Sequence, residues 1–471
     1  MIRVRRIRLF RKDLRTRMPF RYGIATMVDV PHVFLNLEME DSFGLHHGIS
    51  ADHLPPKWFT KDPERDPIDE VDEMLEVVRQ AIELSQEREA ATPFDFWWDL
   101  YRDQSAWALT RSLPPLLSNF GVTLVERALI DAWCRGHRLT FFEAVRRFDL
   151  GVDLGRIHDE LAGRQPGDEL PEAPLHSVFA RHTVGLADPL RDGDIPAGEI
   201  LNDGLPQSLE ACIRFYGLTH FKLKVEGKPD QDLARLRTIA EVLEENCPDG
   251  YAASLDGNES FREASTYASF WDGLQADPKL NRLLERLLFV EQPLHRDIAL
   301  QTPLSDLSEP GRTQCPVIID ESDAELSSLP QALELGYSGT SHKNCKGVFK
   351  GIANRCLINM RSREGLPHLM MSGEDLSNVG PIALLQDLAV QSTLGIESVE
   401  RNGHHYFAGL SAYPGSLQNR VLETHGDLYT RSGSGPARVT IANGRMSTRS
   451  TVDAPFGVGF QPDLDQFANE I

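Results

Sequence analysis

The chain has 471 residues, 41% hydrophobic and 25% charged, the composition of an ordinary globular protein with more length than one small core can use. Its 49 Lys and Arg against 70 Asp and Glu leave a formal net charge of −21, which favours solubility and argues against nucleic acid as a partner. No apolar run is long enough to cross a membrane, no signal-peptide pattern opens the chain, and the six cysteines form no C-x-x-C pair, so a cytoplasmic protein with reduced thiols is expected.

The opening "MIRVRRIRLFRKDLRTR" carries eight basic residues and one acid. A transit peptide or nucleic-acid arm would look like this. Ile2, Val4, Ile7 and Leu9, however, suit a strand with one solvated face, and a strand is the reading preferred. "HVFLNLEME", "DSFG" and "LHHGIS" then read as strand, turn, strand. From Ile68 to Leu84 the apolar residues Val71, Leu75, Val78 and Ile82 recur at helical spacing. Residues 121–147 read as two helices broken near Gly136. The first 165 residues thus mix a small sheet with helices, and the Pro/Gly-rich "GRQPGDELPEAP" (163–174) marks a boundary.

Beyond it, short apolar strands alternate with helical stretches. They are "HSVFARHT" (176–183), "FKLKVEG" (221–227), "YAASLDGN" (251–258), "LLFVEQP" (287–293), "PVIIDES" (316–322), "TSHKNCK" (340–346), "HLMMSGED" (368–375) and "IESVERNG" (396–403). Leu233, Leu236, Ile239 and Leu243 give one intervening segment its helical period. Eight strand–helix units predict an α/β chain folded as a TIM-type (β/α) barrel over 175–412. Residues 413–471, with the hairpin-like "ARVTIANGRM", are expected to return to the N-terminal region, completing an α+β cap.

Reactive groups of such barrels sit at the C-terminal ends of the strands. Here the second strand ends in Lys222 and Lys224, which share a face. The third ends in Asp256, with Asn258 on the same face, the fourth in Glu291, and the fifth in Asp320-Glu321. The sixth carries Lys343, with Lys346 following. Singly, each has a structural reading: Asp256-Gly257-Asn258 is a good turn, and Asp320 suits a helix cap. Jointly, carboxylates on three consecutive strands would repel unless a hard cation joined them, and oxygen-only ligands suit Mg²⁺, with Mn²⁺ as an alternative. His342 and Cys345, three apart without a second pair, are read as structural.

These motifs resemble the enolase superfamily, in its muconate-lactonizing-enzyme-like branch (mandelate racemase/muconate lactonizing enzyme family). The resemblance covers most of the chain. It includes "ERALIDAW" (126–133), the K-x-K of "FKLKVEG", the Asp of "SLDGN", the Glu of "FVEQP", the Asp of "IIDES" and the Lys of "SHKNCK", in family order and spacing. It implies Asp256, Glu291 and Asp320 as Mg²⁺ ligands. Lys224 and Lys343 become acid/base groups on opposite faces of a small-molecule carboxylate substrate, with Lys222 lowering the pKa of Lys224. "NCKGVFKG" departs from the family's paired glycines, which leaves Lys343 and Lys346 as alternatives for the site, and strand alternation alone leaves Asp320 and Glu321 open. No His–Asp dyad of the mandelate-racemase branch is present. Ser372 and Glu374 on the seventh strand, Glu400 and Asn402 on the eighth, and Asn258 and Glu321 at the rim are further candidates for substrate contact. Two cap segments join them: "MPFRYGIATM" (18–27), with Arg21 and Tyr22, at the position of a mobile family loop, and "HHGISADHLPPKWF" (46–59), where His46 and His47 alternate so that at most one reaches a pocket.

The chemistry these residues suit is removal of a proton next to a carboxylate through an enediolate, whose second charge a divalent cation stabilises. Lysines on both faces point first to a racemase or epimerase. A cycloisomerase or an acid dehydratase (lyase) uses the same groups. Of other classes, a metal-dependent hydrolase calls for His-rich ligands that the strand ends lack, and a non-catalytic acid-binding barrel would not need intact Lys224 and Lys343. A symmetric homo-oligomer is expected from the general frequency of such assemblies.

Overall fold

The computed structural model describes residues 1–307, 315–365 and 369–471. Three strands, β1 (Ile2–Tyr22), β2 (Ala25–Asp41) and β3 (Gly44–His53), form an antiparallel meander. Ile2, Val4, Ile7 and Leu9 are buried on one side of β1. The intervening arginines meet acids on adjoining segments, as in Arg5–Glu40 and Arg8–Asp465. The basic opening is therefore a strand with paired charges. A short β4 (Glu89–Ala90) also pairs with β1.

Three helices follow: α1 (Pro67–Ser85) and α2 (Pro93–Thr110) pack on α3 (Pro115–His137), which packs on this sheet. Asp66 and Thr92 cap the first two through side-chain oxygens that accept from Ile68 N and Asp95 N, and a proline follows each cap. α3 is buried on nearly every side because the sheet and the other helices both pack on it. β3 approaches it so closely that a Cβ on Gly48 would lie 2.0 Å from the Ala128 carbonyl oxygen. The expected break near Gly136 falls instead at Arg138, whose φ of 56° ends α3. Gly136 makes room for the His46 ring rather than a kink.

The second sheet contains eight parallel strands: β5 (Ser177–Val184), β6 (His220–Lys224), β7 (Ala252–Asp256), β8 (Leu287–Glu291), β9 (Val317–Ile319), β10 (Gly339–His342), β11 (Met370–Gly373) and β12 (Ser398–Arg401). Pairing of β12 with β5 closes them into a barrel. Each corresponds to one expected strand. His368, the first residue of the expected seventh strand, lies outside the described residues. A helix over Pro229–Asn246 occupies the β6–β7 crossover, where the sequence shows helical periodicity.

The C-terminal segment divides. β13 (Tyr429–Thr430) pairs with β14 (Arg438–Val439), and β15 (Arg445–Ser447) lies antiparallel on barrel strand β5. "ARVTIANGRM" thus borders the barrel and not the N-terminal sheet, a correction to its expected place. The last strand, β16 (Asn469–Glu470), returns to β1. The fold is a TIM-type barrel with an α+β cap to which the extreme C-terminus contributes. Among the described residues no helix is long and apolar enough to cross a membrane, and all six cysteines are free.

Candidate active site

Parallel register sets the site's layout. Lys224 is level with Asp256, and Asp256 with Glu291, so three polar ends of β6, β7 and β8 sit side by side. Glu291 is level with Ile318, and side chains alternate, so Asp320 faces inward, two residues beyond Ile318. Gly339 is level with Ile318 and Ser341 with Ser372, which places Lys343 and Glu374 on the inner face. Glu400 is level with Arg181 on β5. β6 and β10 are four strands apart in a ring of eight, so Lys224 and Lys343 enter from opposite walls.

Lys222 lies deepest. Its Nζ is 2.9 Å from Asp256 Oδ2, 2.8 Å from Glu291 Oε2, 2.8 Å from Glu374 Oε2 and 3.0 Å from Glu400 Oε2. Burial alone would lower its pKa, but these four carboxylates outweigh burial and hold it well above the usual range. Lys224 Nζ donates to the same Asp256 Oδ2 at 2.5 Å, so the carboxylate bridges the two lysines. Lys343 donates at 2.7 Å to both oxygens of Asp320 and at 2.6 Å to Glu374 Oε2. Against burial, Asp320 and Glu374 keep that ammonium well above its normal value too. Lys346 donates to the Asp320 carbonyl and carboxylate and to Ser341 Oγ, each at 3.1 Å. Of these two lysines, Lys343 lines the cleft.

The carboxylates divide by environment. Burial raises Glu374, but Lys222, Lys343 and a hydrogen bond from Glu291 bring it well below the carboxylate range. Burial and the neighbouring Glu374 raise Glu291 far above that range, with Lys222 opposing. Burial raises Asp320, but Lys343 and Lys346 prevail and lower it. Glu321 is pushed up to about 8 by burial, then by Asp320 and Glu259.

A cleft with about 420 Å³ of empty space opens above this cluster. Lys222, Lys224, Asp256, Asn258, Asp320, Lys343, Glu400 and Asn402 face it from the barrel, and Phe20, Tyr22, Met27, Pro55 and Trp58 from the cap. The Lys343 ammonium lies 5.4 Å from the Trp58 ring centroid. The segment 18–27 is not an open loop: Phe20 pairs with Met27, Arg21 with Thr26 and Tyr22 with Ala25 across the β1–β2 hairpin. Strand alternation turns Tyr22 into the cleft, its hydroxyl donating to the Pro56 carbonyl at 2.9 Å. The same alternation turns Arg21 outward, 3.7 Å from Glu226. Neither His46, which bonds Asp41 at 2.9 Å, nor exposed His47 reaches the cleft. Ser372 and Glu374 lie inside the barrel, beneath the cleft, where Ser372 Oγ accepts from Arg181 at 2.6 Å. Glu321 sits behind Asn258, whose Nδ2 is 3.4 Å from Glu321 Oε1.

Sequence reasoning passed over Arg181 and Thr183. Arg181 is wholly buried and 3.1 Å from Glu374 Oε1, and Thr183 Oγ1 donates to Glu400 Oε1 at 2.6 Å. An arginine in the middle of an apolar barrel strand is the signal that marks them. Asp375, Leu376 and Ser377 also line the cleft, from a loop without sequence periodicity. A separate, mostly apolar cavity of about 530 Å³ lies between the loops after β11 and β12 and the C-terminal hairpin, and carries none of these lysines or carboxylates.

The donor chemistry suits a hard divalent cation. Oxygens of Glu291, Asp320 and Glu374 lie within 4.8 Å of one another. Asn258 Oδ1 and Glu321 Oε2 are buried oxygens without a hydrogen-bond donor. Asp256 is level with Glu291, but its carboxylate is engaged by Lys222 and Lys224.

No protein-family model matches the chain, and no curated protein matches it. Solved structures do. A crystal structure described as an enolase from Bradyrhizobium, complexed with magnesium and mandelic acid, is 13% identical, with 99% of this chain and 98% of that one covered at a TM-score of 0.60. A dipeptide epimerase from Cytophaga hutchinsonii, complexed with Mg and the dipeptide D-Ala-L-Val, is 14% identical, with 100% and 99% covered at 0.57. The L-Ala-D/L-Glu epimerase of Bacillus subtilis is 17% identical, with 93% and 98% covered at 0.56. The chain has the fold of mandelate racemase/muconate lactonizing enzyme-like members of the enolase superfamily.

Proposed function

We propose that the protein is a Mg²⁺-dependent racemase or epimerase that removes and returns a proton next to a carboxylate. The observation that carries this reading is the entry of Lys224 and Lys343 into one cleft from opposite barrel walls, with carboxylates between them. A substrate lying across the carboxylates presents its α-carbon to an amine on each face. Lys224 takes the proton from one face and Lys343, starting as the ammonium, delivers one to the other. The reverse reaction exchanges the roles, and protons balance.

The residues assigned to the cation are Asp256, Glu291 and Asp320. Bound there, Mg²⁺ supplies stabilisation of the second negative charge of the enediolate. Asp256 is preferred to Glu374 for a reason internal to the site. Lys224 can act as a base only when neutral, and its Nζ donates to Asp256 Oδ2 at 2.5 Å, so a cation on Asp256 would take over the carboxylate that Lys224 engages. Glu374 has its own cations in Lys222, Lys343 and Arg181.

The cap wall of Phe20, Met27, Pro55 and Trp58 offers the far end of the substrate no cation, so the reading extends to a monocarboxylate with an apolar end. Asn258 and Asn402, whose Oδ1 atoms have no donor, serve polar groups near the reacting carbon. A cycloisomerase or dehydratase would need only one of the two lysines as base. The test is incubation of single enantiomers of 2-substituted apolar acids with Mg²⁺ in D₂O, following α-deuterium by NMR and configuration by polarimetry. Deuterium appearing together with inversion supports a racemase. Elimination or ring closure without inversion moves the assignment to the other classes, and no exchange with any acid despite Mg²⁺ binding supports an acid-binding barrel.

A further inference from the structure

Outside the barrel wall a second group of metal-competent side chains meets, away from the lysines. Arg181 and Thr183 of β5 reach the barrel interior, so His182 between them points outward. There it meets Cys212, from the helix Leu209–Tyr216, and His405, from the short helix Gly403–Tyr406. All three are buried, and one nitrogen or sulfur from each lies within 4.8 Å of the others. Cys212 Sγ is 3.5 Å from His405 Nδ1.

The surroundings match what holds a ligating imidazole in place. His182 Nδ1 is 3.1 Å from His404 Nε2. His405 Nε2 is 3.8 Å from Asp188 Oδ2. The His182 ring thus has a hydrogen-bond partner and His405 a carboxylate within ion-pair reach, the kinds of neighbour found around protein-bound metals. Asp188 is buried, and its hydrogen bonds come from the Tyr406 hydroxyl at 2.6 Å and the Gly185 N–H at 2.8 Å, both neutral. This buried carboxylate, which also feels the Arg235 guanidinium, lies one imidazole away from the cluster and favours a positive charge there.

We propose that His182, Cys212 and His405 bind a borderline-soft divalent cation of the Zn²⁺ class, at a site separate from the lysine–carboxylate centre. A thiolate with two imidazoles selects such a cation over Mg²⁺ or Ca²⁺, which take oxygen. Three protein ligands leave a fourth position for water or for His404. Binding replaces the Cys212 S–H bond with a sulfur–metal bond and releases one proton, leaving a net charge of +1 that faces Asp188. The site would tie β5, the strand of Thr183, to the short helix that follows β12, the strand of Glu400.

The experiment uses the full chain expressed with added Zn²⁺ or Co²⁺, then dialysed against excess Mg²⁺ to clear the oxygen site. Wild type is expected to retain about one equivalent of zinc by elemental mass spectrometry, and the cobalt form to show a thiolate-to-cobalt charge-transfer band with tetrahedral d–d bands. Cys212→Ser is expected to lose the charge-transfer band and the retained equivalent while still binding Mg²⁺. Should that variant fail to fold, His405→Gln is expected to lose both the retained zinc equivalent and the cobalt bands while still binding Mg²⁺. Wild type without retained zinc or a charge-transfer band, or a band that persists in Cys212→Ser, overturns the site.

Discussion

Replacing Lys343 with methionine separates the two halves of the proposed proton transfer. The change removes the ammonium that donates at 2.7 Å to both Asp320 oxygens and at 2.6 Å to Glu374 Oε2. Outright loss of one partner of a buried ion pair costs about 3–5 kcal/mol. Here the anions keep other partners: Asp320 retains Lys346 at 3.1 Å and the Ser341 hydroxyl at 2.5 Å, and Glu374 retains Lys222 at 2.8 Å and Arg181 at 3.1 Å. The expected destabilisation is that of a charged hydrogen bond, about 1.5–3 kcal/mol, and the variant should fold. A positioned acid–base group contributes about 10²–10⁴-fold to rate, or about 2.7–5.4 kcal/mol of barrier. Lys224, four strands away, keeps its contact with Asp256. Racemisation by K343M should therefore fall by about 10²–10⁴-fold, while one enantiomer continues to exchange its α-proton with D₂O and the other does not. NMR of each enantiomer, alongside polarimetry and a urea melt, reads all three quantities. Equal loss of exchange from both enantiomers in a folded, Mg²⁺-binding variant, or undiminished racemisation, refutes the two-wall arrangement.

The cation set is testable by titration calorimetry: Glu374→Gln, a neighbour of the ligands, should weaken Mg²⁺ binding by about 10–100-fold, and Asp256→Asn, a ligand, by more than that. The reverse order would put Glu374 in the set in place of Asp256. Arg181→Met leaves Glu374 with Lys222 and Lys343 and should cost what a charged hydrogen bond is worth, about 1.5–3 kcal/mol, in denaturant unfolding; a cost under about 0.5 kcal/mol would mean that Lys222 and Lys343 suffice. Asp387 is pushed up to about 8 by burial, with Arg401 opposing and Asp375 adding to the rise. Its folded form holds the proton more tightly than the unfolded chain does, so its contribution to stability is complete below the unfolded carboxylate pKa and is lost as pH climbs towards about 8. Relative to Asp387→Asn, wild type should lose up to about 1.4 kcal/mol per pH unit across that window. Parallel stability–pH curves for the two proteins would show that Asp387 is ionised throughout.

Much of the architecture was readable before any coordinates, because its signals are local. Short runs of strand length alternating with helical stretches marked the eight barrel strands, several of them ending in charge, and the apolar Ile2, Val4, Ile7 and Leu9 placed β1 as a strand despite its arginines. The lysine and carboxylate positions followed from the same alternation once the barrel was assumed. What stayed open was relative register. Nothing in "IIDES" alone says whether Asp320 or Glu321 turns inward; the pairing of Glu291 with Ile318 across β8 and β9 decides it. Lys343 and Lys346 are likewise separated by the turn that follows β10, not by their spacing.

The sequence by itself determined the number and type of barrel elements and the chemical identity of the groups at their ends, since both depend on neighbours within a few residues. Only the tertiary structure decided which groups touch. It bound Lys222 to four carboxylates, set Arg181 under Glu374, turned Arg21 outward and Tyr22 inward, and brought His182, Cys212 and His405 together from stretches far apart in the chain. Those contacts depend on barrel closure and on the seating of the cap, which join residues hundreds of positions apart, and no local pattern carries that information.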